Sequence, residues 1–428
     1  MNFPKYPKYK DSGIAWIGEI PEHWLTPRLR LISQIETGTT PPTEESDNYS
    51  LESTYPWLTP DDIDENGYPS KPTKFLSNKG WSQVRKIPAG STIVCCIGTV
   101  GKTGFVDTIV STNQQINSII TPQNGKFMYY AISNCKSEME RIASGNVIPI
   151  LNKQKLGSIA VPIPPLSEQQ TISLFIDRME RKITGVIKTH IEVIKLLKEK
   201  RQAIITHAVT NGLDPNVPMK DSGVEWIGEI PEHWKLVRLK RLVNLATKST
   251  KNNGTKVALE NIESWTGKYV RTLSEYDSEG IAFEKGDILF GKLRPYLAKV
   301  YLTDFDGEAV GDFYVLRISS NVDDMFLFQL LATREFISIV DSSTYGTKMP
   351  RVNWDFMGNL KVPIPALREQ SNIGSFIVKI VNKTDILVSN LKKMIELLKE
   401  YRSTLISAAV TGKIDVRNLK NNDFPESE

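Results

Sequence analysis

A chain of 428 residues with a net charge of +4 is long enough to bury two to four separate cores. Its three cysteines exclude a disulfide framework and fit a reducing cytosol, and no apolar run reaches the roughly 18 residues needed to span a bilayer. The mild positive charge permits a polyanionic partner without requiring one; residues 1–5 do not open a signal peptide, so a soluble cytoplasmic protein is expected.

In chain order, residues 11–24 read Asp-Ser-Gly-Ile-Ala-Trp-Ile-Gly-Glu-Ile-Pro-Glu-His-Trp and return at residues 221–234 with twelve of fourteen positions identical. The segment after the first copy is a mixed α/β domain, with β-rich runs at 91–98 and 104–110 bounded by glycine and aspartate. It leaves through Val-Pro-Ile-Pro at 161–164, where two prolines forbid a helix or an inner strand and make a rigid exit. The hydrophobic period then lengthens to about 3.5. Ile172, Ile176, Met179, Ile183, Val186, Ile191, Ile194 and Leu197 form a seam of threes and fours, with one slip. The second copy opens another α/β segment, with strands expected at 286–291 and 313–318 and a second Val-Pro-Ile-Pro at 362–365. Its seam is Ile373, Ile377, Ile380, Thr384, Leu387, Leu391, Met394, Leu398 and Leu405. Each seam belongs to a helix of about 40 residues, roughly 60 Å long. An exposed rod of that kind is not stable alone, so the two should zip together, antiparallel because the intervening domain carries the chain back.

The fold class is therefore α/β, with two α/β domains separated by two long helices packed as an antiparallel coiled coil in a pseudo-two-fold internal repeat. The divisions are 1–165, 166–212 (first helix), 213–366, 367–416 (second helix) and a polar tail at 417–428. A repeat of about 200 residues is too long for a solenoid unit and reads as a duplicated domain pair. Near-identical edges around dissimilar middles suggest one scaffold holding two different readers.

Catalytic patterns are missing. Gly98-Thr99-Val100-Gly101-Lys102-Thr103 looks like part of a phosphate loop, but Cys96 stands where its first glycine belongs and a strand follows Lys102. Neither Pro-Pro pair, 41–42 or 164–165, precedes an aromatic as an adenine methyltransferase loop would require. His23 and His233 read as packing or hydrogen-bonding residues, and the cysteines lack metal-site spacing. The polar candidates lie in the middles. Lys102 and Thr103, with Asn113, Gln114 and Gln115, set a cation beside amides of the kind that pair with adenine edges. Asn146 and Lys153 lie in a further polar turn. In the second middle, Lys292, Arg294 and Tyr296 flank a glycine-bounded strand, and Lys348 and Arg351 flank Gly346. Arg294 and Arg351 could instead form internal salt bridges with Asp287 or Asp312.

Taken together, the duplicated Trp-Ile-Gly-Glu-Ile-Pro-Glu-His-Trp segments, the Val-Pro-Ile-Pro exits before Glu-Gln helices, and the segments 291–297 and 345–351 resemble the specificity subunit of a Type I restriction–modification system over residues 9–415. The resemblance implies two target-recognition domains that each read half of a split site in double-stranded DNA, with the helices fixing the spacer. It implies two modification (M) subunits that carry S-adenosylmethionine and methylate adenine, and restriction (R) subunits that use ATP and Mg. It implies no cofactor on this chain and no catalysis by it. An enzyme with an unrecognised active site and a coiled-coil adaptor are the alternatives.

Overall fold

Alternation of apolar side chains decides the central sheets. In the computed structural model, which describes residues 3–64, 72–145, 147–250, 254–272, 279–346 and 348–418, Ser91–Cys95 is buried along its whole length. Val94 points into one core, while Ile93 and Cys95 point into another on the opposite face. A strand covered on both sides needs apolar side chains toward both faces, and Ile93, Val94 and Cys95 supply them after the buried Ser91 and Thr92. The sheet order is Gln34–Thr37, Ile116–Ile120, Ser91–Cys95, Thr103–Val106, antiparallel throughout. The second middle repeats it as Val243–Ala246, Phe313–Ile318, Ile288–Gly291, Val300–Leu302. There Ile288 and Phe290 face one core and Leu289 the other.

These sheets belong to two compact units, residues 1–189 with 394–428 and residues 190–393. The division falls inside both long helices, Leu166–Asn211 and Leu367–Val410. In the first unit the start of one helix (Ile172, Ile176, Met179) shares a core with the end of the other (Leu405, Ala409, Val410). In the second unit Ile205 and Val209 share a core with Ile373 and Ile377, and Arg201 meets Asp385 at 3.0 Å. Start against end in both units is the antiparallel coiled-coil arrangement.

The seam itself is corrected by one residue in its middle. Val186, Ile191, Leu387 and Met394, expected on it, are exposed. Val388 and Ile395 are buried instead, with Thr384, and Ile187 and His190 are partly buried in the first helix. The positions 183, 187, 190, 194, 197 and 201 keep the four-three rhythm without a slip; apolar neighbours one residue off the stripe disguised it.

The repeated edges have a packing role. Tyr9–Asp11 pairs with Glu19–Pro21, and Met219–Asp221 pairs with Glu229–Pro231, in equivalent hairpins. Each presents a buried tryptophan, Trp24 or Trp234, to the start of a long helix. The indole of Trp24 donates to Glu168 at 3.3 Å, and His23 lies 2.9 Å from the same carboxylate. Trp234 and His233 make the same bonds to Glu369 at 3.1 and 2.9 Å. The next residue is a second staple. Gln169 accepts from the amide of Asn124 and donates to the Pro164 carbonyl, and Gln370 accepts from Asp323 and donates to Pro365. Asn124 and Asp323 cap the helices Gly125–Ser133 and Asp324–Leu331 that cover the sheets. The Glu-Gln pair thus fixes the hairpin and the covering helix to one helical turn.

The Val-Pro-Ile-Pro exits differ. Lys361–Ile364 is a strand paired with Lys235–Arg238, a two-stranded ribbon in which proline loses no inner ladder bond. Its counterpart forms only the bridges Leu25 to Ile163 and Arg28 to Ala160. In the first unit the segment after the second long helix meets the chain near Pro4: Asp415 donates its amide to Pro4, and Arg417 makes a two-pronged pair with Asp415. The candidate contact residue Asn146 and residues 419–428 of the expected tail lie outside the described residues. Among the described residues no helix is long and apolar enough to cross a membrane.

Candidate nucleic-acid interface

In each of the two central sheets, at one end of the inner strands, three loops are held together by the same backbone hydrogen bonds. In the first unit the amide of Cys96 donates to Gln115, Leu151 donates to Cys96, and Gly98 donates to Pro149. In the second, Lys292 donates to Asp312, Val352 to Lys292, and Arg294 to Pro350. The hairpin beside them closes by paired bonds between Ser144 and Ile150, or between Tyr345 and Arg351. Gly145 and Gly346 have φ of +119° and +94°, which a residue with a Cβ would rarely adopt. The frame is shared. The side chains on it are not.

One cation on each frame turns inward. Lys102 donates to the carbonyl of Pro60 at 3.0 Å, tying its loop to the turn Pro60–Asp62. Lys299 donates to Leu259 and Ile262 at 2.6 and 3.0 Å, tying its loop to the turn Leu259–Asn261. Burial lowers the Lys299 pKa, while Glu260 works against that shift. Asp62 and Asn261 close these turns by accepting the amides of Thr59 and Ala258. The Lys102–Lys299 pairing escaped the sequence because the second loop is one residue longer, which breaks the constant offset.

In the first unit Asn113, Gln115, Gly98, Thr99 and Lys102 line one cleft of about 450 Å³ with Trp57 and Lys74. Asn113 is nearly buried and donates its amide to Gln115 at 2.8 Å, so Gln115 presents the pair to the cleft. Gln114 is exposed and accepts from the hydroxyl of Thr40. Thr103 is buried, its hydroxyl donated to Gly101 at 2.9 Å. Lys153 is exposed in the first turn of Lys153–Ser158, apart from the cleft, where its charge helps lower the Glu36 pKa behind a stronger hydrogen bond from Gln34. Sequence reasoning missed Trp57 and Lys74, whose ammonium lies 5.9 Å from that ring; an aromatic with a cation near a sheet edge was the available signal.

The second unit offers more charge. Lys292 lies 5.6 Å from the Tyr314 ring and 3.9 Å from Asp312. Arg351 grips Asp312 with both prongs, at 3.0 and 2.9 Å, and this hydrogen-bonded pair raises its pKa. The internal salt bridge left open by the sequence is therefore present for Arg351. Asp287 takes Arg317 instead. Arg294, Tyr296 and Lys348 are exposed. The thiols Cys95 and Cys96 sit under the first loop, and burial pushes them up to about 11 and about 12, which leaves them protonated and inert.

A loop surface of exposed amides, cations and aromatics carried on glycine turns suits contacts with base edges and phosphates. The family model described as "Type I restriction modification DNA specificity domain" matches the chain twice, at residues 21–196 and 231–397. The Type I restriction enzyme MjaVIII specificity subunit of Methanocaldococcus jannaschii is 26% identical, over 98% of this chain and 99% of that protein. The EcoDI specificity subunit of Escherichia coli is 25% identical over 71% and 73%. The fold is similar to that of the HsdS subunit from Thermoanaerobacter tengcongensis, with a TM-score of 0.56 and 15% identity over 92% and 98% of the two chains. A chain from a structural study of the assembly and conformational transition of a type I R-M system aligns with a TM-score of 0.68 and 13% identity over 91% and 98%.

Proposed function

The chain belongs to the Type I restriction–modification DNA specificity family, and on that premise we propose that it is the DNA-reading, non-catalytic subunit of such a complex, each unit reading one half of a bipartite site in double-stranded DNA. The observation that carries the reading is the duplicated loop frame. Identical main-chain bonds hold dissimilar side chains, as two readers of different half-sites require. In this proposal the recognition domains are residues 1–165 and 213–366, and the helices of 166–212 and 367–416 set the spacer. Gln114, Gln115, Lys74 and Trp57 face one half-site; Lys292, Arg294, Tyr296 and Lys348 face the other. Lys102, Thr103, Asn113 and Arg351 hold the loops in place, and Lys153 reaches the flanking backbone.

The chain carries no catalytic cofactor and works with M and R partners in the cytoplasm. Its internal repeat suits two copies of the M subunit, bound by like edges of the chain. Those subunits bring S-adenosylmethionine, and the R subunits bring ATP with Mg. The test is direct. Mixed with its M partner and S-adenosylmethionine, the chain directs adenine methylation to one split motif; alone, it transfers no methyl group. Methylation by the isolated chain at the rate of the complex contradicts the reading. A salt-sensitive, sequence-selective DNA shift excludes a coiled-coil adaptor that does not bind DNA, and the absence of any DNA binding favours it.

A further inference from the structure

Two residues of the second unit stand where the first unit has glycine. Gly98, with φ of +77°, and Arg294, with φ of +50°, occupy the same place in the frame and donate to Pro149 and Pro350. Gly101, at +82°, and Ala298, at +47°, precede the equivalent lysines Lys102 and Lys299. A left-handed backbone is unfavourable for any residue with a Cβ, and glycine escapes that cost. For Ala298 packing explains the exception, because its methyl is buried in the core. For Arg294 it does not. Its side chain is exposed and makes one long hydrogen bond, 3.5 Å from Nη2 to the Lys348 carbonyl. Among the described residues it has no carboxylate partner, and Asp312 is already gripped by Arg351. Strain at an exposed residue that the fold does not need points to function.

We propose that Arg294 is a specificity-determining residue of the second unit, holding its guanidinium out to the O6 and N7 edge of a guanine in that unit's half-site. This deepens the reading above and rests on it. A phosphate contact needs only a flexible charge, which the exposed Lys348 on the neighbouring hairpin supplies. A guanine edge needs a planar fork at a fixed angle, which arginine alone provides. Pro295, buried directly after Arg294, stiffens the loop at that point.

The experiment uses the full chain with its M partner and compares R294G, R294A and R294K by motif sequencing, DNA affinity and thermal melting. R294G is expected to stay folded and to melt about 2 °C higher, because the strain is relieved. It should bind the cognate site about 10- to 100-fold more weakly, lose discrimination at one G·C pair of the second half-site and keep the first half-site unchanged. R294A shares the loss without the gain in melting temperature, and R294K does not restore the lost position. Equal weakening on all sequences, with the salt slope reduced by about one, marks a phosphate contact and overturns the proposal. A wild-type split motif left intact by R294G overturns this inference alone. A wild-type complex that methylates no split motif overturns the reading beneath it.

Discussion

The amides of Cys96 and Lys292 make the same hydrogen bond to the residue just before the neighbouring strand, yet one residue buries a thiol and the other lays an ammonium beside Tyr314. Position by position, Gln115 corresponds to Asp312, Gly98 to Arg294, and Ile150 to Arg351 on otherwise equivalent frames. The anchors behave in the opposite way: hairpin, glutamate, glutamine and capped helix recur with the same partners. Main-chain bonds do not depend on side-chain identity, so the loops can change what they present without losing their shape. The anchors have less freedom, because the glutamate and glutamine side chains there are matched to particular donors and acceptors.

The largest expected effect tests the anchors, where the units are alike but not equal. Glu168 is nearly buried and accepts from Tyr6 and Trp24 beside His23, whereas the Glu369 side chain is about one-third exposed and lacks a counterpart of Tyr6. Glu168→Ala should cost about 3 kcal/mol, because it strands a buried hydroxyl and an indole. Glu369→Ala should cost about 1–2 kcal/mol. Denaturant unfolding of both variants checks this, and equal losses would break the comparison.

A smaller effect concerns the inward lysines. Lys102→Met and Lys299→Met should each cost about 1–2 kcal/mol by leaving loop carbonyls unpaired, with both halves of the methylated motif intact. If Lys102→Met changes the first half-site at unchanged stability, Lys102 reads DNA and its equivalence to Lys299 fails.

The smallest effect is confined to the first unit. The Tyr130 hydroxyl lies 2.7 and 2.8 Å from carboxyl oxygens of Asp177 and Glu180, while the matching positions on the second helix are Val378 and Val381. Burial raises the Glu180 carboxyl above its ordinary range, against the opposing pull of Tyr130 and Arg402. A carboxyl raised in the folded state holds a proton that the unfolded chain releases. Its contribution is therefore present below the ordinary pKa and lost as pH rises through the folded value. Glu180→Gln should raise the melting temperature more at pH 8 than at pH 4; a gain independent of pH would contradict the assignment.

Much of the fold could be read from the chain because duplication marks its own edges. The repeated hairpin and the Glu-Gln helix starts were visible as identities, since buried anchors tolerate few residue types. The sheet was visible in runs such as 313–318, where both faces are covered. The coiled-coil register was not, because Val186, Leu387 and Met394 lie one residue off the buried stripe and are as apolar as the residues on it. The site was legible only as clusters. Which cations turn inward depends on carbonyls far away in sequence, such as Pro60 for Lys102 and Leu259 for Lys299. The left-handed backbone of Arg294 leaves no trace in composition.

One measurement reaches the central claim that two separate readers share a scaffold. The bridges Leu25 to Ile163 and Arg28 to Ala160 bring the ends of the first reader side by side, so residues 25–160 can be exchanged as a unit for the equivalent segment of a relative. Methylation-sensitive long-read sequencing of a host carrying this exchange should show one half-site replaced and the other retained. Replacement of both halves, or of neither in an active complex, would contradict the account.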